Sequence, residues 1–185
     1  MDSSKNQFII AAIEDCQATI RATDAKVGAL LAGILLPFSQ ISHIWRYLIQ
    51  LSEEIGSQTF TIIFFILWLT TIYMLVRTIS AIGNPVNNII NNKCTGSFYS
   101  AGLYSFVFLD SLVNRSVIKA NKEVASFAQS YPNTTHEIEL ELSFEHMKLI
   151  YIRDIKLHRL NFSLLFSGLW FIIGMLIFIS VKSLA

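Results

Sequence analysis

Charge is what this sequence has least of. Only 15% of its 185 residues are Asp, Glu, Lys or Arg, against 53% that are hydrophobic. Soluble globular domains carry about a quarter charged residues. The shortage argues against a water-exposed globular chain and for lipid. A net charge of +1 says nothing by itself about nucleic acid, and no nucleic-acid polymer is expected as a partner. There are two cysteines, Cys16 and Cys94, on different segments and outside any CxxC. They form no disulfide framework or zinc site and are read as free thiols in a reducing compartment. Catalytic signatures are also missing: the sequence has no Walker loop, GxSxG, HExxH or GxGxxG. His43, His136, His146 and His158 fall into no metal-ligand pattern. The expectation is a protein that is not an enzyme and has no cofactor and no metal.

What the sequence does have is three long apolar runs, at 27–45, 59–76 and 160–181. Each is near the ~20 residues an α-helix needs to cross ~30 Å of hydrocarbon. Backbone groups have no partners in lipid except one another, so the runs are expected as helices. Residues 1–26 precede the first apolar run and carry Glu14, Asp15, Arg21, Asp24 and Lys26, unlike a secretory signal. Twelve of the Lys and Arg residues lie before the first run or between the second and third. Arg46 and Lys182 are the other two. The positive-inside rule then puts the N-terminus and the long connection in the cytoplasm and the C-terminus outside.

The expected fold class is an all-α integral membrane protein. It has three transmembrane helices and a cytoplasmic helical module formed by extensions of the spans. Its segments are a cytoplasmic amphipathic helix (1–26), spans at 27–45 and 59–76 joined by a short outer loop (46–58), the cytoplasmic module (77–159), the last span (160–181) and an outer tail (182–185). Ile9, Ile13, Cys16, Ile20, Thr23 and Val27 recur at alternating spacings of four and three, an amphipathic stripe running into span one. Gly28, Ala29, Ala32 and Gly33 would permit close helix contact, within the chain or with another copy. A second helix is expected from Asp110 to about Gln129, striped by Val113, Val117, Ala120, Val124 and Phe127. Residues 97–109 are open between strand and helix. Residues 137–144 alternate like a strand, but Leu140, Phe144, Met147, Tyr151 and Ile155 also make a helical stripe. Helix is favoured there, running unbroken into span three and opened by a capping box of Thr134 and Glu137. The sequon at Asn133-Thr134-Thr135 and those starting at Asn114 and Asn161 would face the cytoplasm or the membrane, where they would not be glycosylated.

Two groups of residues are candidates for ligand chemistry. Arg115, Lys119 and Lys122 lie on one helix face, and Lys148, Arg153, Lys156 and Arg159 precede span three. This basic set is open to three readings: a solvated or lipid-headgroup surface, a phosphate site, or a dock for an acidic partner. Phe98, Tyr99 and Tyr104 could stack on a base or belong to a core. Gln40 and His43 are polar groups near the outer end of span one.

The segment TDAKVGALLAGILL (23–36) resembles the ADxKAGxLLAxxxALL entry to the first span of the Pycsar effector transmembrane proteins. Asp24, Lys26 and Gly28 match that motif, and Val27 stands where the family has a small residue. The order that follows is similar in outline: a second span, a proline-containing turn, an aromatic stretch only approximately like the family's, and a helix with Lys156 leading into a last span. Members of that family are bacterial inner-membrane proteins that impair the membrane during phage infection when cyclic UMP or cyclic CMP binds. The resemblance implies an oligomeric, ligand-gated antiviral effector, with lipid and a cyclic pyrimidine nucleotide as partners. The basic and aromatic residues themselves, rather than any family motif, make Tyr99, Arg115, Lys119, Lys122, Arg153 and Lys156 the expected ligand contacts. A membrane scaffold without a ligand, or a constitutive holin-like pore, would share the same three spans.

Overall fold

The computed structural model describes residues 2–82, 85–90, 94, 103–104 and 120–184. Five α-helices form among them: α1 (Asp2–Leu35), α2 (Ile41–Ile55), α3 (Thr59–Ile79), α4 (Val124–Ala128) and α5 (Thr135–Leu184). Among the described residues there is no strand. A single antiparallel bridge joins Tyr104 to Ala120. The chain divides into two units, one of Met1–Gln17 with Asn84–Tyr151 and one of Ala18–Gly83 with Ile152–Ala185. α1 and α5 therefore each contribute residues to both.

In the second unit every helix turns a stripe with spacings of three and four residues inward. α3 buries Phe64, Trp68, Thr71, Leu75 and Thr78. α1 buries Thr23, Val27 and Ile34, α2 Leu48 and Leu51, and α5 Leu160, Ser163, Trp170, Ile177 and Val181. This is the spacing that keeps one face of a 3.6-residue helix aligned. The opposite faces are apolar as well. Ile62, Ile66, Leu69 and Tyr73 of α3, and Leu165, Phe171, Ile172 and Ile179 of α5, are more than half exposed. Soluble monomers rarely expose contiguous apolar surface on this scale. Three helical stretches here are long and apolar enough to cross a membrane.

The hydroxyls buried in this unit are satisfied locally. Thr23, Thr71, Thr78, Ser163 and Ser167 each donate to the carbonyl four residues earlier, at 2.7–2.9 Å. A hydroxyl bonded this way can be buried without a partner on a neighbouring helix. Thr78 and Ser163 also meet across α3 and α5 at 3.4 Å.

The first apolar run is not one straight helix. α1 ends at Leu35, and a 3-10 turn (Leu36–Gln40) carries Pro37 in its first turn. Proline has no N–H to give to the carbonyl four residues back, so the α-pattern cannot pass it. The residues expected as a loop at 46–58 are mostly helical, because α2 continues to Ile55. Ile44, Leu48 and Leu51 give α2 an apolar face that packs on the core, and tertiary burial extends the helix past Arg46. The reversal needs only Gly56–Gln58. Gly56 adopts φ 66°, which favours glycine, and Ser57 N–H returns to Ser52 O at 3.1 Å.

In the first unit, α1 buries Ile9, Ile13 and Cys16, the first half of the expected stripe. Residues 137–144 are helical, as favoured, within the 50-residue α5. Of the expected stripe, however, Phe144 is buried while Leu140 and Met147 are exposed, because Glu141, Glu145 and Lys148 share the inward face. The start of α5 is a full capping box. Thr134 N–H donates to Glu137 Oε2 at 3.2 Å, and Glu137 N–H donates to Thr134 Oγ1 at 3.2 Å. The Asn133 and Thr134 amides hold the Glu137 carboxyl below its ordinary range. The expected helix from Asp110 to Gln129 is not continuous. Residues 120–123 are non-helical, α4 covers only 124–128, and Val124 is 86% exposed. The Asn121 amide is committed to Leu103 O at 2.7 Å, so it is not available to a helical ladder. The rest of that stripe, and most of 97–109, lies outside the described residues.

Candidate functional site

Asp24 of α1 and Lys156 of α5 form an ion pair within the second unit. The Lys156 side chain is 7% exposed and that of Asp24 is 38% exposed. A buried ammonium is costly unless a carboxylate meets it, so the two helices are tied in register at this level. One turn further along α5, Arg159 Nη1 donates to Arg77 O in the last turn of α3 at 2.9 Å. A cation on the final carbonyls also suits the negative end of the helix dipole. Thr23, Thr78 and Ser163 complete a polar collar shared by α1, α3 and α5. Beyond it the interior is mostly apolar as far as Val181, with the Thr71 hydroxyl bonded to its own backbone.

The second feature of this unit is an aromatic cluster. Trp68 and Trp170 stack with centroids 5.9 Å apart, and Phe38 stacks on Trp68 at 4.3 Å. Trp68 Nε1–H donates to Ile34 O at 2.9 Å. That carbonyl sits where the 3-10 turn interrupts the α-ladder. The indole thus closes a backbone gap that hydrocarbon could not. The Trp170 N–H is buried and has no such partner among the described residues. Nothing in the sequence singles out Trp68. A tryptophan inside an apolar run is compatible with any neighbour.

The first unit carries buried charge on α5. Glu141, Glu145 and Lys148 are each less than 10% exposed. Lys148 pairs with Glu145 one turn back and lies over the Phe144 ring at 4.8 Å. Burial pushes the Glu145 carboxyl above its ordinary range; Lys148 pulls the other way, and Glu141 adds to the rise. Lys5 of α1 pairs with Glu139. Cys94 donates to Leu140 O at 3.6 Å, and burial followed by Glu141's charge raises its thiol pKa. Cys16 and Cys94 are both free thiols.

The expected ligand residues do not form one cluster among the described residues. Tyr99, Arg115 and Lys119 lie outside them. Lys122 is exposed in the first unit. Arg153, in the second, pairs with its neighbour Asp154 at 2.9 Å. Lys156 is engaged by Asp24. Of the family-like trio, Asp24 has that partner, Lys26 is exposed, and Gly28 is half-buried with open space around its Cα. Among the described residues no group of His, Cys, Asp and Glu could hold a metal. No protein-family model, curated protein or solved structure matches the chain.

Proposed function

We propose that the chain is a non-enzymatic membrane effector of a bacterial antiphage system. In this reading the second unit lies in the inner membrane, and the first faces the cytoplasm and takes a cyclic pyrimidine nucleotide. Binding then changes the packing of the membrane unit and breaches the bilayer. One observation carries the reading: α1 and α5 each run from a unit with charged groups into a unit with an apolar outer face. A ligand-induced shift in the first halves of these helices has a covalent route into the second halves. The Asp24–Lys156 pair ties the same two helices and is the natural latch. The resemblance at 23–36 supplies the ligand class.

The energetics are feasible. Moving an equilibrium from 1:99 to 99:1 takes about 5.5 kcal/mol of preference for one state. A ligand of micromolar affinity releases about 8 kcal/mol in all. Most of that must be absent in the resting state.

The test is to express the chain with and without a pyrimidine-nucleotide cyclase and record membrane potential. Binding of cyclic UMP and cyclic CMP to the purified protein is measured in parallel. Depolarisation is expected only with the cyclase. Toxicity without it points to a constitutive pore, and neither toxicity nor binding points to a scaffold.

A further inference from the structure

A cavity of about 390 Å³ opens in the second unit between α2 with its preceding 3-10 turn and the last part of α5. Its walls are almost wholly apolar, with Phe64 and Trp170 along the inner side. Gly174 leaves the room: a Cβ built there would meet Phe64 only at 3.5 Å, an ordinary contact. Polar atoms come from Gln40, His43 and Tyr47, which recur about one turn apart on one side of the opening. All three are exposed, and none of their side chains makes a hydrogen bond or ion pair among the described residues.

We infer that this cavity is a binding site for one acyl chain of a phospholipid, its ester region held by Gln40, His43 and Tyr47. The inference rests on the membrane reading above. Three features fit. First, the volume of about 390 Å³ and its apolar walls suit a chain of methylenes. Second, residues 170–178 of α5 cover about 12 Å of helix, so the cavity is long in the direction an acyl chain runs. Third, the depth matches. At 1.5 Å per residue Trp170 lies about 21 Å along α5 from Lys156, and Phe178 about 33 Å. With Lys156 at one face of a ~30 Å hydrocarbon layer, the cavity occupies the far leaflet. Gln40, His43 and Tyr47 line the same cavity over about 10 Å of helix and supply the donors that ester carbonyls need. Unpaired in hydrocarbon those side chains would be costly, and a lipid ester removes that cost.

The test uses the full chain extracted from membranes in mild detergent and weighed intact by native mass spectrometry. One phospholipid per chain is expected for the wild type and for Gly174→Ala. Gly174→Leu fills the space and should lower occupancy by roughly tenfold or more. The double variant Gln40→Leu/His43→Leu alters only exposed side chains and should lower occupancy about five- to tenfold, as expected for lost hydrogen bonds. It decides the matter if Gly174→Leu does not fold. A membrane-extracted protein with no bound lipid, or equal occupancy in wild type and double variant, overturns the site. So does an adduct that is a second copy of the chain or a small molecule other than a phospholipid. A chain that leaves the membrane in an alkaline wash overturns the membrane reading instead.

Discussion

The two halves of α5 make the most instructive contrast in the molecule. Both bury a helical stripe, but the first half buries charge as well. There Glu141, Glu145 and Lys148 are inside together with Leu142, Phe144 and Leu149, and Glu137, Leu140, Met147 and Asp154 are exposed. In the second half the interior holds Ser163 and Trp170, while Leu165, Phe171 and Ile172 point outward. Inward periodicity therefore makes the helix in both places, and the outer face decides which solvent each half suits. The interior follows from that. A charged group buried beside water can be matched by another charge. In an apolar surround the polar groups retained are small hydroxyls bonded to their own backbone, plus one ion pair at the end of the core.

Three substitutions should sharpen that contrast, with the aromatic core the most sensitive. Trp68→Ala should destabilise the second unit by about 4 kcal/mol through the void it leaves, seen as a lower midpoint for unfolding in detergent. Trp68→Phe keeps a ring but orphans the Ile34 carbonyl, at about 1–3 kcal/mol. Trp170→Phe loses no hydrogen bond and should cost clearly less than Trp68→Phe. Equal costs would break the account of Trp68 as the closure of the 3-10 gap.

The latch comes next. Asp24→Asn leaves the Lys156 ammonium buried without its charge partner and should cost about 2 kcal/mol. That is below the ~3–5 kcal/mol for a fully buried pair, because solvent reaches Asp24. Lys156→Met in the same chain should restore most of the loss. A double variant as unstable as Asp24→Asn would show that the pair does not act as a unit.

The smallest effect should appear in the first unit, as a pH dependence. A carboxyl whose folded pKa is raised binds its proton more tightly folded than unfolded. The stability Glu145 contributes is therefore full below its ordinary value near 4.5 and is lost as pH rises through the raised one. Protection from hydrogen exchange at residues 139–149, corrected for the intrinsic rate at each pH, should fall across that window in the wild type. Glu145→Gln should flatten the slope and leave protection in α3 unchanged. A slope that survives in the variant assigns the titration to another group.

Much of the fold was legible in residue order. The stripe from Ile9 to Val27 is the buried face of α1, because burial and the 3.6-residue period leave few alternatives. The Thr134–Glu137 cap was legible because it is local. The helix from Asp110 to Gln129 was misjudged at 120–123. Its periodicity was real in letters, but a tertiary hydrogen bond to Leu103 took the Asn121 amide. The loop at 46–58 was misjudged for the opposite reason. Arg46, Glu53 and Glu54 read as solvent, while the apolar face they share a helix with was docked on the core. The cavity was not legible at all, since an empty space belongs to no residue.

Taken alone, the sequence determined the helical class, the three apolar stretches and the stripe that α1 buries. These depend on composition and on periods of three and four, which residue order contains. Only the tertiary structure decided that Lys156 would answer Asp24 across 132 residues. It also set Trp68 beneath the break at Pro37 and left room beside Gly174. Those outcomes depend on which helix faces meet and at what axial offset. Neither is set by local propensity; both follow from packing side chains of particular shape.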